Sequence, residues 1–200
     1  RFQESRSRVQ AKLSQFLDNT LIRARAEKDI IFDMVIPPLQ VSMMKRPALV
    51  VVRGKDYLED LTVIFPFIKE EKPVIIAVDG GADGCLKLGI RPDIIIGDMD
   101  SASDGALKKG KEIIVHAYPD GRAPGAARIE ALGLPYKLFS ALGTSEDIAM
   151  LLAHEAGADM IVAVGTHSNL TDFLAKGRPG MASTLLVRLK LGSILVDAKG

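Results

Sequence analysis

Asp79, Asp98 and Asp100 each stand just after a short aliphatic run, where a buried strand would give way to a loop. Carboxylates converging at such a place repel one another unless a cation sits between them. Magnesium, a hard ion that takes oxygen ligands and carries phosphates, suits that set. Asp98 and Asp100 lie two residues apart, so in extended backbone both point to one side. Gly80 and Gly81 let a ligand approach the chain after Asp79, and a helix starting there directs free N–H groups at a phosphate. Any one of these aspartates alone reads as a turn former or helix cap; three at adjacent strand ends read as a site.

Other residues join this set by type and position. Gly54 and Lys55 follow the first aliphatic run, and Thr166 and His167 follow a later one, both in loops suited to phosphate. Arg122, after His116, offers the forked donors that grip a phosphate, with a solvated proline–glycine turn as the alternative. Arg178 stands in a basic loop that enters a helix near Ser183 and Thr184. His167 is a candidate general base or phosphate ligand, against the plainer role of a structural hydrogen bonder. Cys85 lies in a leucine-rich helical pattern and reads as core.

The elements that position these residues follow from hydrophobic pattern. Continuous apolar runs at 48–52, 74–78, 94–96, 112–116, 136–139, 160–164 and 193–196 predict strands buried on both faces. Helical patterns fall between them, at about 56–70, 81–88, 104–109, 125–132, 145–157, 168–176 and 180–190. This βα alternation predicts an α/β domain with a doubly wound, mostly parallel sheet over 46–200. Ligands of such sheets bind beyond the carboxyl ends of the strands. Residues 1–45 have helical spacing and no glycine or proline before Pro37 and Pro38. They predict a helical connector or dimerisation segment, and hence a homodimer.

Bulk properties narrow the function. Twenty-six basic against 25 acidic residues leave a net charge of +1, which argues against a nucleic-acid partner. One cysteine leaves no internal disulfide or cysteine-rich zinc site and fits a reducing cytoplasm. No run approaches the roughly 18 to 20 apolar residues that cross a bilayer. The chain begins without Met and reads as a piece of a longer protein, so any membrane anchor would lie in a segment absent from it.

The motif from Asp79-Gly80-Gly81-Ala82-Asp83 through Arg91-Pro92-Asp93 to Gly97-Asp98-Met99-Asp100-Ser101 resembles the core of thiamine pyrophosphokinases. That resemblance covers about 48–165. It implies that Asp79, Asp98 and Asp100 hold magnesium and the phosphates of ATP or another nucleotide, with Gly80, Gly81 and Ser101 lining the phosphate pocket. It adds Asp147, in Gly143-Thr144-Ser145-Glu146-Asp147, as a further metal ligand and catalytic carboxylate. The chain departs from the family where an earlier acid of that element is missing, and where Gly165-Thr166-His167-Ser168-Asn169 replaces a Gly-Gly-Arg-x-Asp-His element. It also lacks a counterpart of the β-sandwich domain that completes the thiamine site. Longer segments, including His116-Ala117-Tyr118-Pro119-Asp120-Gly121-Arg122 and Gly180-Met181-Ala182-Ser183-Thr184, resemble the SteA-like cytokinetic-ring proteins of Gram-positive bacteria. Together these imply a magnesium-dependent nucleotide- or pyrophosphate-binding module of a cell-division protein, with a membrane or cell-division partner. The alternative is an active thiamine diphosphokinase that transfers pyrophosphate from ATP to thiamine. With no Trp, three Tyr and seven Phe, the chain has little material for a thiamine-sized aromatic pocket.

Overall fold

Aliphatic runs without alternation need cover on both faces, and the fold supplies it. A computed structural model describes residues 2–32, 34–167, 173–174 and 177–199. Strands β1 (Pro47–Val52), β2 (Val74–Val78), β3 (Ile94–Gly97), β4 (Glu112–Ala117), β5 (Lys137–Ser140), β6 (Met160–Val164) and β7 (Leu195–Ala198) form one sheet. The order is β5-β4-β3-β2-β1-β6-β7, and every pairing is parallel. Successive residues of each strand enter opposite layers. Val50, Ile76 and Ile94 pack in one core, and Leu49, Ile75 and Ile95 in the other. Each such side chain, once fully buried, contributes roughly 1.5–3 kcal/mol.

The first layer holds two helices, α7 (Ser145–Glu155) and α8 (Ala182–Leu191), with a 3₁₀ turn at Lys28–Ile31. The second holds α2 (Tyr57–Val63), α3 (Phe65–Glu71), α4 (Gly81–Lys87), α5 (Asp104–Leu107) and α6 (Ala126–Ala131). The single helix expected over 56–70 is split. Pro66 lies in the first turn of α3, where its missing N–H costs nothing, but it would break a continuous helix. The last strand lies about two residues later than its apolar run predicts, because Ile194 closes a turn onto Leu191. Most of the helical pattern at 168–176 lies outside the described residues.

The long helix α1 (Phe2–Ala26) packs on α8, with the Phe16 and Phe173 rings 6.4 Å apart. It leaves Val9, Leu17, Leu21 and Ile22 exposed. Among the described residues, no helix is long and apolar enough to cross a membrane.

The chain builds the sheet outward from β1 to β5, then returns to the other side of β1 with β6. The reversal opens a crevice at the carboxyl ends of the central strands, where doubly wound sheets hold ligands.

Candidate metal and phosphate site

Asp79 leaves β2 with φ +46°, a left-handed conformation that aspartate tolerates better than most residues. Its amide donates to the Ile96 carbonyl at 3.0 Å, which ties the turn to β3. Its Oδ1 accepts from the Met99 amide at 2.9 Å. Burial pushes the Asp79 carboxyl up to about 7, and the charges of Asp98 and Asp100 add to that. The Met99 amide and the Ser145 hydroxyl pull the other way. Gly97 makes the arrangement possible. Its φ is +144°, and a Cβ there would lie 2.1 Å from Asp79 Oδ1.

Asp98 and Asp100 converge for a different reason than extended backbone. Met99 between them is fully buried with φ +63°, so the segment is a tight turn anchored by its middle residue. Asp98 Oδ1 accepts from the Asp100 amide at 3.3 Å. From α6, Arg128 donates to the Met99 carbonyl, to the Ala102 carbonyl at 2.8 Å and to Asp104 Oδ1 at 2.6 Å. Partial burial and the neighbouring Asp100 charge hold the Asp98 carboxyl above its ordinary range, against the Asp100 amide.

One carboxylate oxygen from each of Asp79, Asp98 and Asp100 lies within 4.8 Å of the others. Among the described residues, no Lys or Arg forms an ion pair with any of the three. An all-oxygen donor set with uncompensated negative charge fits magnesium, which would supply charge neutralisation to bound phosphates.

The three carboxylates border a cavity of about 290 Å³ that also meets Gly80, Ser101, His167 and Arg178. Ser101 Oγ accepts from the Gly80 amide at 3.1 Å and so joins the two acidic loops. Across the cavity stands the start of α7. There Glu146, 7% exposed, accepts from the His167 amide at 3.1 Å, and its Oε2 lies 3.3 Å from His167 Nδ1. Arg53, Ser145 and Glu146 also border the cavity, although the sequence, which places them in candidate loops, did not single them out as site residues. A Cβ on Gly80 would come 2.8 Å from Arg53 Cζ, so the guanidinium lies over the Asp79 turn. Arg53 directly follows β1, which was the available signal; Ser145 and Glu146 were legible only as cap residues.

Several expected site residues are placed elsewhere. Asp147 is fully buried as part of a capping box rather than a metal site. Its Oδ2 accepts from the Thr144 amide and hydroxyl at 3.1 and 2.9 Å, and from the hydroxyls of Ser183 and Thr184 at 2.8 and 3.2 Å. Its Oδ1 has no partner among the described residues. Burial pushes its carboxyl up, while these hydrogen bonds oppose the shift. Gly54 and Gly81 serve chain packing: a Cβ would lie 2.0 Å from the Gly165 carbonyl oxygen and 2.3 Å from that of Val51, respectively. The Lys55 side chain is 91% exposed beside Asp56 and does not line the cavity. Thr166 donates to Asp197 Oδ1 at 3.0 Å, linking β6 to β7. Arg122 folds back on Asp120 at 2.7 Å and over the Tyr118 ring, away from the cavity. His116 is buried, with Nε2 2.9 Å from the Ala141 carbonyl oxygen. Cys85 is buried in the core, and burial pushes its thiol up to about 12.

The parallel sheet thus carries three converging aspartates at its central strand ends. Residues 65–121 match the family model described as thiamin pyrophosphokinase, catalytic domain. The 6-hydroxymethyl-7,8-dihydropterin pyrophosphokinase of Pyrococcus furiosus is 33% identical over 103 residues, 45% of this chain and 44% of that protein. The chain thus matches less than half the length of this curated relative. Among solved structures, thiamine pyrophosphokinase from Bacillus subtilis is similar with a TM-score of 0.44 at 21% identity, covering 76% of this chain and 60% of the other. A protein from Lactobacillus plantarum gives 0.35 at 20% identity, covering 67% and 53%.

Proposed function

We propose that this chain is a magnesium-dependent nucleotide- or pyrophosphate-binding domain, used as a binding or regulatory module of a cell-division protein. The observation that carries the binding reading is the convergence of Asp79, Asp98 and Asp100, none of which forms an ion pair with Lys or Arg among the described residues. Magnesium would be held by these three carboxylates. Arg53, Arg178, His167 and Ser101 border the same cavity and are the groups available to phosphate oxygens. Asp147 is taken up in a capping box, and the fourth acid that borders the cavity is Glu146, which is engaged with His167. The cell-division setting rests on the motif resemblance alone, and tagging the full-length protein at the division septum tests it.

A second reading is an active pyrophosphokinase that moves a pyrophosphoryl group from ATP to an acceptor hydroxyl. The Pyrococcus relative favours it and widens the acceptors to be tried from thiamine to a hydroxymethyl pterin. Phosphoryl-transfer chemistry depends mainly on positioning and charge, so this reading does not hinge on a dedicated base.

The test is calorimetric titration of the chain with ATP, GTP and pyrophosphate, with and without magnesium, followed by addition of thiamine or the pterin. Magnesium-dependent nucleotide binding with no AMP produced supports the module. AMP release that requires an acceptor establishes the kinase instead. No binding of nucleotide or pyrophosphate under any condition defeats both readings.

A further inference from the structure

The cavity that holds the three aspartates is also bordered by a carboxylate and an imidazole in contact, Glu146 at the start of α7 and His167 just past β6. Glu146 is not needed to cap α7, because Thr144 and Asp147 already form the capping box there. Its carboxylate, in a residue only 7% exposed, turns instead to the neighbouring loop. Among the described residues both of its hydrogen bonds come from His167. A buried carboxylate is costly without such donors, so the pair is built in together.

A carboxylate only accepts hydrogen bonds, so the His167 Nδ1 that lies 3.3 Å from Glu146 Oε2 carries the hydrogen. The other ring nitrogen, Nε2, then holds a lone pair. The same Glu146 oxygen takes the His167 amide at 3.1 Å, which fixes the backbone beneath the ring. The His167 side chain keeps 17% of its surface exposed, so water and ligand reach it. A general base needs access to the proton it removes and a third group that holds its tautomer. Before substrate arrives, such contacts are commonly somewhat long.

We infer that this site hydrolyses the phosphoanhydride it binds, with His167 as the general base and Glu146 as the residue that positions it. Water adds to the terminal phosphorus, and its proton passes to His167 Nε2. The bond from that phosphorus to the bridging oxygen breaks, and the bridging oxygen leaves with the electron pair on the remaining phosphate. His167 then returns the proton to solvent. Pyrophosphate gives two phosphates in this way, and a nucleoside triphosphate gives the diphosphate and phosphate. The inference rests on the binding reading above and adds to it a reset: an occupied module empties itself.

The first test needs neither metal nor turnover. Nitrogen NMR of the histidine rings in the metal-free chain finds the His167 hydrogen on Nδ1, and Glu146→Gln mixes the two tautomers. The second follows phosphate release from magnesium pyrophosphate. His167→Gln lowers kcat by ~100-fold or more, the contribution of a general base. Glu146→Gln lowers it less, and in both variants KM and the calorimetric affinity for magnesium pyrophosphate stay close to the wild type. That retained affinity also shows that the variants are folded.

A hydrogen on His167 Nε2, or a His167→Gln variant as fast as the wild type, overturns the inference. So does a variant that loses affinity in place of turnover, since His167 would then be a phosphate contact. Failure of magnesium pyrophosphate and magnesium ATP to bind defeats the binding reading itself, whereas binding without phosphate release from either defeats the hydrolysis alone. The two substrates run side by side also identify the anhydride. ADP and phosphate from ATP mean a nucleotide, and phosphate from pyrophosphate alone means the free diphosphate.

Discussion

The ends of β2 and β3 and the start of α7 present aspartates in loops of similar composition, yet the fold uses them oppositely. Asp79, Asp98 and Asp100 bring carboxylate oxygens within 4.8 Å of one another and receive few hydrogen bonds. Asp147 is fully buried, and one of its oxygens receives four. One oxygen of Asp147 is engaged by its own helix and the next one, while its buried Oδ1 has no partner among the described residues. Carboxylates crowded together raise one another's proton affinity, and the Asp79 carboxyl is pushed up to about 7, chiefly by burial. What separates the three from Asp147 is their convergence on one open cavity.

Four measurements break or sharpen this contrast. Removing one charge from the triad, as in Asp98→Asn, lowers the affinity for magnesium pyrophosphate by ~100-fold or more, as expected for a direct ligand when even outer-shell partners cost 10–100-fold. Calorimetry reads it, and a change below about threefold sinks the metal assignment. Asp147→Ala loses a helix cap and strands the Ser183 and Thr184 hydroxyls, at about 2 kcal/mol of folding stability. Chemical denaturation measures that cost, while magnesium affinity in the folded fraction stays unchanged. A loss of metal affinity with little loss of stability would return Asp147 to the metal site.

The third measurement varies pH. Asp79 must be ionised to hold a cation, and its carboxyl titrates at about 7 in the metal-free protein. Protons therefore compete below that point, and magnesium affinity rises with pH by up to roughly tenfold per unit until about pH 7, then levels off. A flat profile between pH 5 and about 8 would mean that Asp79 is not a ligand. The smallest effect belongs to the residues that the fold turns outward. Lys55→Ala and Arg122→Ala change stability and nucleotide affinity by less than about 0.5 kcal/mol, the range of ordinary surface substitutions.

Much of the architecture was legible because buried parallel strands leave unbroken apolar runs. The runs at 74–78 and 160–164 coincide with β2 and β6. Asp79 was legible because it immediately follows such a run, and Asp98 and Asp100 because they lie two and four residues past one. Asp147 was not, since the hydroxyls that engage it come from Ser183 and Thr184 on a helix distant in sequence. Gly97 and Arg128 were invisible for a similar reason. One yields space to Asp79 and the other clamps the Met99 turn, and both acts depend on neighbours that only the folded chain supplies.

The position of β1 in the sheet sets an order of assembly. Its pairing with β2 joins Ala48 to Val74, but its pairing with β6 joins Ala48 to Ile161. Closing short loops precedes closing long ones, because chain entropy must be overcome before distant contacts reward it. The acidic half of the cavity, built on β2 and β3, is thus expected to form early in refolding, and the half that carries His167 late. Pulse-labelled hydrogen exchange would show protection in β2 and β3 before β6; simultaneous protection would mean that the site matures in a single step.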